Sequence, residues 1–152
     1  MKEADVFQQL DLVRKITLSE LDGITEEQAD IIPEGFRNNI RWNLGHIYTL
    51  QNSLLAHNAG MDLTTPKHYE ALFSPGTKPA DWEGDLPSLT EIIEKLTDQP
   101  AQIKEALSGK LDEPAIKPFI KQNNVGQILT FTFYHEGLHI STIKAFKALT
   151  NK

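Results

Sequence analysis

A chain of 152 residues with 39% apolar and 24% charged content is long enough to bury a core unaided, and it has no cysteine to supply a disulfide or a thiolate. Its net charge of −6, with no Lys/Arg cluster interleaved with aromatics, argues against nucleic acid as a partner. No apolar run approaches the ~20 residues of a membrane span. The opening MKEADVFQQL lacks the basic and apolar regions of a signal peptide, so one cytoplasmic domain over residues 1–152 is the expectation.

Four long helical patterns and no strand predict an all-α fold. The first pattern runs from about Ala4 to Leu21, with Val6, Leu10, Val13, Thr17 and Leu21 on one stripe and Gly23 as its stop. Thr25 and Gln28 fit a capping box for a short helical turn that Pro33 closes. A second long helix begins at Asn38 or Asn39 and continues to about Asn58, burying Ile40, Leu44, Ile47, Leu54 and Leu55. Residues 60–87 carry four prolines and three glycines and predict one long ordered loop, a lid or an overhand connection. Ser88 starts a third helix, its capping box closed by Glu91, and Pro100 predicts a kink or a break before Gly109 ends it. After a second loop, Lys110 to Asn123, the fourth helix opens at Asn123 or Asn124 and runs to about Thr150. Its inward stripe reads Ile128, Phe131, His135, Leu138, His139, Thr142, Phe146 and Leu149. Together these predict an up-down four-helix bundle with one long crossover loop, a scaffold that builds metal sites between facing helices.

His135 and His139 lie four residues apart, just over one turn, so their rings project from one face about 6 Å apart. Burying two imidazoles is costly unless their nitrogens are paired or bound to metal. His46, inward on the second helix, supplies a third ring and completes a set for one divalent ion. His57 sits ~16 Å further along that helix, too far for the same ion, and His68 joins only if the long loop folds over the site. Glu136 lies about 60° around the helix from His139 and about 100° from His135. There it orients a ligand ring, acts as a base, or is a solvated carboxylate.

The run His135-Glu136-Gly137-Leu138-His139 also matches the zinc-protease expression HExxH. Residues 140–152 offer no Glu, Asp or His as a third ligand, however, and no sheet is expected to hold a peptide. Asn43 and Ser53, on or near the His46 face, either bond a substrate or satisfy helix backbone. Trp42 and Tyr134 are expected to pack between helices.

Asn43-Leu44-Gly45-His46-Ile47, His135-Glu136-Gly137-Leu138-His139 and the helix entry Val125-Gly126-Gln127-Ile128 together resemble the DinB/YfiT-like family of small bacterial metal-binding four-helix bundles, over essentially the whole chain. The resemblance implies a three-histidine site for Ni, Zn, Mn or Fe on His46, His135 and His139, with water at the open positions, and it implies homodimers. Some members of that family are transferases or isomerases using low-molecular-weight thiols such as bacillithiol, mycothiol or glutathione. The chain departs from many members at Gly137, where a larger residue is frequent, and at Ile140-Ser141, which replace a commoner Arg-Gly pair. Those changes spare the ligands but weaken any transfer of substrate-pocket or dimer contacts.

The expected function is that of a divalent-metal protein, zinc or nickel ahead of iron or manganese, acting as a metal-dependent enzyme on a small molecule. Transfer of a low-molecular-weight thiol to an electrophile is the leading activity, with His46, His135 and His139 as ligands and Glu136 as the catalytic candidate. A metal-dependent hydrolase and a non-catalytic, stress-associated metal-binding protein are the alternatives.

Overall fold

The computed structural model describes residues 1–151, so Lys152 of the expected 1–152 domain lies outside the described residues. Helix α1 spans Glu3–Ser19, and Gly23, at φ +74, turns the chain toward α2, Glu26–Asp30. The Thr25 hydroxyl accepts the Gln28 N–H at 3.0 Å and so starts α2. Helix α3, Ile40–Ser53, starts where the Asn39 side chain accepts the Trp42 N–H at 2.8 Å, and it widens into a π-helical turn over Leu54–Asn58. Ser88 caps α5, Leu89–Leu107, in the same way through the Glu91 N–H, and Asn124 caps α6, Val125–Thr150, through that of Gln127.

Contacts along the helices give their directions. Arg14 meets Glu136, and Lys147 Nζ reaches the carbonyls of Glu20 and Asp22, so α1 and α6 run the same way. Asp11 pairs with Lys104, placing α1 antiparallel to α5, while Asn43–His139 and Gln51–Thr132 place α3 antiparallel to α6. Helices α3 and α5 therefore run parallel, and the long connection between them returns the chain along the bundle. Each of α1 and α3 packs on both α5 and α6.

Three expectations need correction. The 60–87 connection is not loop throughout: it contains α4, Lys67–Phe73, which buries Tyr69, Leu72 and Phe73, and a 3-10 turn over Pro79–Asp81. A helix of seven residues, about two turns, with no side-chain cap, is too short to show a helical period. The second loop folds into an antiparallel hairpin, β1 (Pro114–Phe119) with β2 (Gln122–Asn124), so the fold is helical with one small two-stranded addition. Its turn places Ile120 and Lys121 at positive φ, 44° and 64°, where Asn-Gly is the usual signal. Pro100 does not break α5. It deprives the Leu96 carbonyl of its usual donor four residues on, and Arg14 Nη1 bonds that carbonyl instead.

The phase of α6 also differs from expectation. Leu138 and Leu149 are 51% and 62% exposed, and Tyr134, expected between helices, is 64% exposed. Ile128, Leu129, Thr132, Glu136, Ile140, Ile143 and Phe146 form the buried face. One apolar cluster gathers Leu21, Ile40, Leu44, Ile47, Ile92, Leu96, Ile143 and Phe146. A second gathers Val6, Leu10, Leu54, Leu55, Ile103, Leu107, Val125 and Ile128. On each of the four long helices a buried polar residue falls between them: Arg14, Gln51, Gln99 and Glu136.

Candidate metal centre

The antiparallel packing of α3 and α6 sets His46 opposite His135 and His139. One nitrogen from each ring lies within 4.8 Å of the others. His135 Nε2 is 3.0 Å from His139 Nε2 and 3.2 Å from His46 Nε2. Ligand nitrogens at the usual zinc distance of about 2.0–2.1 Å, separated as these are, subtend angles of about 95–105° at the ion. The residues present therefore fit a divalent cation.

Contacts on the far side of two rings fix which nitrogen is free. His46 Nδ1 is 2.6 Å from the Phe73 carbonyl, which can only accept, so Nδ1 carries the proton and Nε2 keeps its lone pair. His139 Nδ1 is 2.7 Å from Asn43 Oδ1. The Asn43 amide nitrogen donates to the Asn39 carbonyl and to Asn38 Oδ1, which fixes its oxygen toward His139. His139 Nε2 is thus also bare. A proton on His135 Nε2 could satisfy one of these two lone pairs at most, whereas a cation satisfies all three nitrogens. Such backing of ligand imidazoles by carbonyl-type acceptors is common in metal proteins.

Packing holds this arrangement. Trp42 stacks on His46 at 4.4 Å between centroids and 12° between planes, and its indole N–H donates to Thr77 Oγ1. Gly45 admits the Phe73 ring against α3, because a Cβ there would lie 2.5 Å from three of its ring atoms. Burial holds His135 down at about 4 and His139 at about 3, with the neighbouring rings adding to the effect, and burial also lowers His46. All three are neutral at pH 7, the state a metal requires.

The other candidates lie elsewhere. His57 is exposed and pairs with Ser53 at 3.1 Å, and exposed His68 packs edge-on against Tyr69. Glu136 makes no contact of hydrogen-bond length with the histidines. It is 1% exposed, so it is not a solvated carboxylate: Arg14 Nε donates to it at 2.9 Å, Arg14 Nη2 at 3.2 Å, and Thr17 Oγ1 also donates to it. Sequence reasoning missed Arg14, Gln51, Gln99 and the Phe73 carbonyl. Arg14 could have been found, since it neighbours Val13 on the core side of α1, and a charge there needs a buried partner of opposite sign. A backbone carbonyl on α4 leaves no trace in side-chain spacing.

The model of the DinB superfamily matches residues 9–143 of the chain. No curated protein matches it. Among solved structures, a conserved protein from Enterococcus faecalis is similar, with a TM-score of 0.66 at 16% identity over 100% of this chain and 99% of that one. At that identity the likeness concerns the fold alone.

Proposed function

The chain belongs to the DinB superfamily, and from that premise we propose that His46, His135 and His139 hold one divalent metal ion in an enzyme acting on a small molecule. The convergence of three neutral imidazole nitrogens, two of them aimed by an acceptor behind the ring, carries this reading. Zinc or nickel suits three imidazoles best, with iron or manganese as alternatives. When bound, the ion supplies Lewis acidity to a water, thiol or carbonyl at its open positions. Among the described residues the cluster contains three side chains, a donor count that leaves open positions on a bound ion, as catalytic sites do.

The working activity is transfer of a low-molecular-weight thiol to an electrophile. With no cysteine in the chain, the thiol is a co-substrate. Trp42 covers one side of His46 and excludes water there, while Asn43 and the Phe73 carbonyl keep two ligand rings in place. Glu136 receives no proton-transfer role in this proposal, because Arg14 and Thr17 already bond its carboxylate. The same proposal takes residues 1–152 as one metal-binding domain, working as a cytoplasmic homodimer. Among the described residues no helix is long and apolar enough to cross a membrane.

Elemental analysis of the wild type beside His46→Ala, His135→Ala and His139→Ala tests the ligands. About one metal per chain is expected in the wild type, and little in each variant despite retained helicity. Full occupancy in all three variants would defeat the assignment. Holo and apo protein are then compared for consumption of several cellular thiols in the presence of a chromogenic electrophile. Faster consumption by holoprotein supports thiol transfer; equal rates favour a metal-dependent hydrolase or a non-catalytic, stress-associated metal-binding protein.

A further inference from the structure

Helix α6 is apolar nearly all the way round. Val125, Ile128, Leu129, Ile140, Ile143 and Phe146 are buried, yet Tyr134, Leu138 and Leu149 on the opposite side are exposed. Burial alone therefore distinguishes poorly between one rotation of this helix about its axis and another. The positions of both candidate-ligand histidines of α6, His135 and His139, depend on that rotation.

Glu136 does distinguish the rotations. Its carboxylate is buried and bonded to Arg14 and Thr17 of α1, so turning α6 would strand a charge in the core. Arg14 is held in turn from the other two helices: Nη2 donates to Gln51 Oε1 of α3 at 2.8 Å and to Gln99 Oε1 of α5 at 3.0 Å, and Nη1 bonds the Leu96 carbonyl that Pro100 leaves free. Gln51 and Gln99 are each fixed by a second bond, to Thr132 Oγ1 and to Asn52 Oδ1. With Glu136 pointing at α1, helix geometry puts His139 about 60° and His135 about 100° away on the same side, toward α3. It puts Tyr134 and Leu138 about 160° away, consistent with their exposure.

We propose that the buried Arg14–Glu136 pair is a positioning device for the metal centre: by fixing the rotation of α6 against α1, it aims His135 and His139 at His46. Neither residue hydrogen-bonds to the ligand rings: the bonds of Arg14 and Glu136 go to each other and to Thr17, Gln51, Gln99 and the Leu96 carbonyl. Both act through the helix that carries two of the ligands. The inference rests on the three-histidine reading above.

The test removes the pair and reads metal binding. Arg14→Met/Glu136→Leu replaces two opposite charges with apolar side chains, a change that many buried pairs tolerate. Helicity and thermal melting report the fold, chelator competition reports zinc affinity, and the visible spectrum of the cobalt-substituted protein reports ligand geometry. The expected result is a folded variant with zinc affinity lowered at least about tenfold and an altered cobalt spectrum. A pair that only stabilises the bundle would leave both metal readouts unchanged, and zinc affinity within about twofold of wild type overturns the proposal.

If the double variant does not fold, Glu136→Gln decides. It keeps the shape of the side chain and removes the charge that pairs with Arg14. Zinc binding about threefold weaker supports the proposal, and wild-type affinity overturns it. A wild-type protein that takes up no metal removes the site and the positioning role together, whereas normal wild-type and variant binding removes the positioning role alone.

Discussion

The layer around Glu136 and the cluster around His135 are two polar regions sunk into the same bundle, and they differ in how their atoms are satisfied. Arg14 donates to Glu136, Gln51, Gln99 and the Leu96 carbonyl, and the two glutamines pass their own amide protons to Thr132, Asn52 and the Tyr48 carbonyl. That network closes on itself. The histidine cluster does not, since two bare Nε2 atoms face a third nitrogen at 3.0 and 3.2 Å. Among the described residues, the one buried side-chain polar atom with no other polar atom at hydrogen-bond distance is Thr49 Oγ1, which belongs to neither region. A closed network joins helices, whereas converging lone pairs fit a ligand.

The comparison breaks if both regions respond alike to truncation in metal-free protein. Glu136→Ala leaves Arg14 charged, 2% exposed and without its counter-charge, and losing one partner of such a pair costs about 3–5 kcal/mol. His135→Ala takes one nitrogen out of a crowded set and is expected to change stability by less than about 1 kcal/mol. Urea titrations of the apo variants measure both effects. Equal losses would erase the distinction.

Two smaller perturbations sharpen the histidine side. In Gly45→Ala the new methyl would lie 2.5 Å from ring atoms of Phe73, which is fully buried, so the ring must move, at about 1–3 kcal/mol. Since the Phe73 carbonyl anchors His46, zinc affinity falls as well. Lost stability with unchanged affinity would mean that the anchor lies elsewhere. Asn43→Ala removes the acceptor behind His139 and is expected to weaken zinc binding about tenfold in a chelator competition.

Sequence reading succeeded where the determining interactions are local. Asn39, Ser88 and Asn124 each bond an N–H three residues on, so the starts of α3, α5 and α6 were legible as caps. The i, i+4 spacing likewise put His135 and His139 on one face. What was missed depends on distant partners. Helix α4 is settled by Phe73 packing against Gly45, and the hairpin turns on Ile120 and Lys121 without a glycine. The environment of Glu136 is set by Arg14, 122 residues away. The expected α6 stripe was rotated, taking in exposed Leu138 and Leu149, because apolar residues surround the helix and the contacts that mark its phase, Glu136 with Arg14 and Thr132 with Gln51, are remote in sequence.

The smallest expected effect is the pH dependence of the metal-free fold. His135 and His139 are held at about 4 and about 3, against an ordinary value near 6.5. Above pH ~6.5 these rings are neutral in both folded and unfolded chains, and stability does not vary with pH through them. As pH falls from about 6.5 toward 4, the unfolded chain takes up protons that the folded rings refuse, so stability declines across that window. His46, lowered by burial, contributes with the same sign. The urea midpoint of apo protein is therefore expected to drop between about pH 7 and pH 5, and to drop less in His135→Ala and His139→Ala. The opposite slope would mean that the folded rings accept protons as pH falls. One imidazolium N–H would then point at a neighbour's lone pair, and its proton and charge would oppose a cation at the place where the three nitrogens meet.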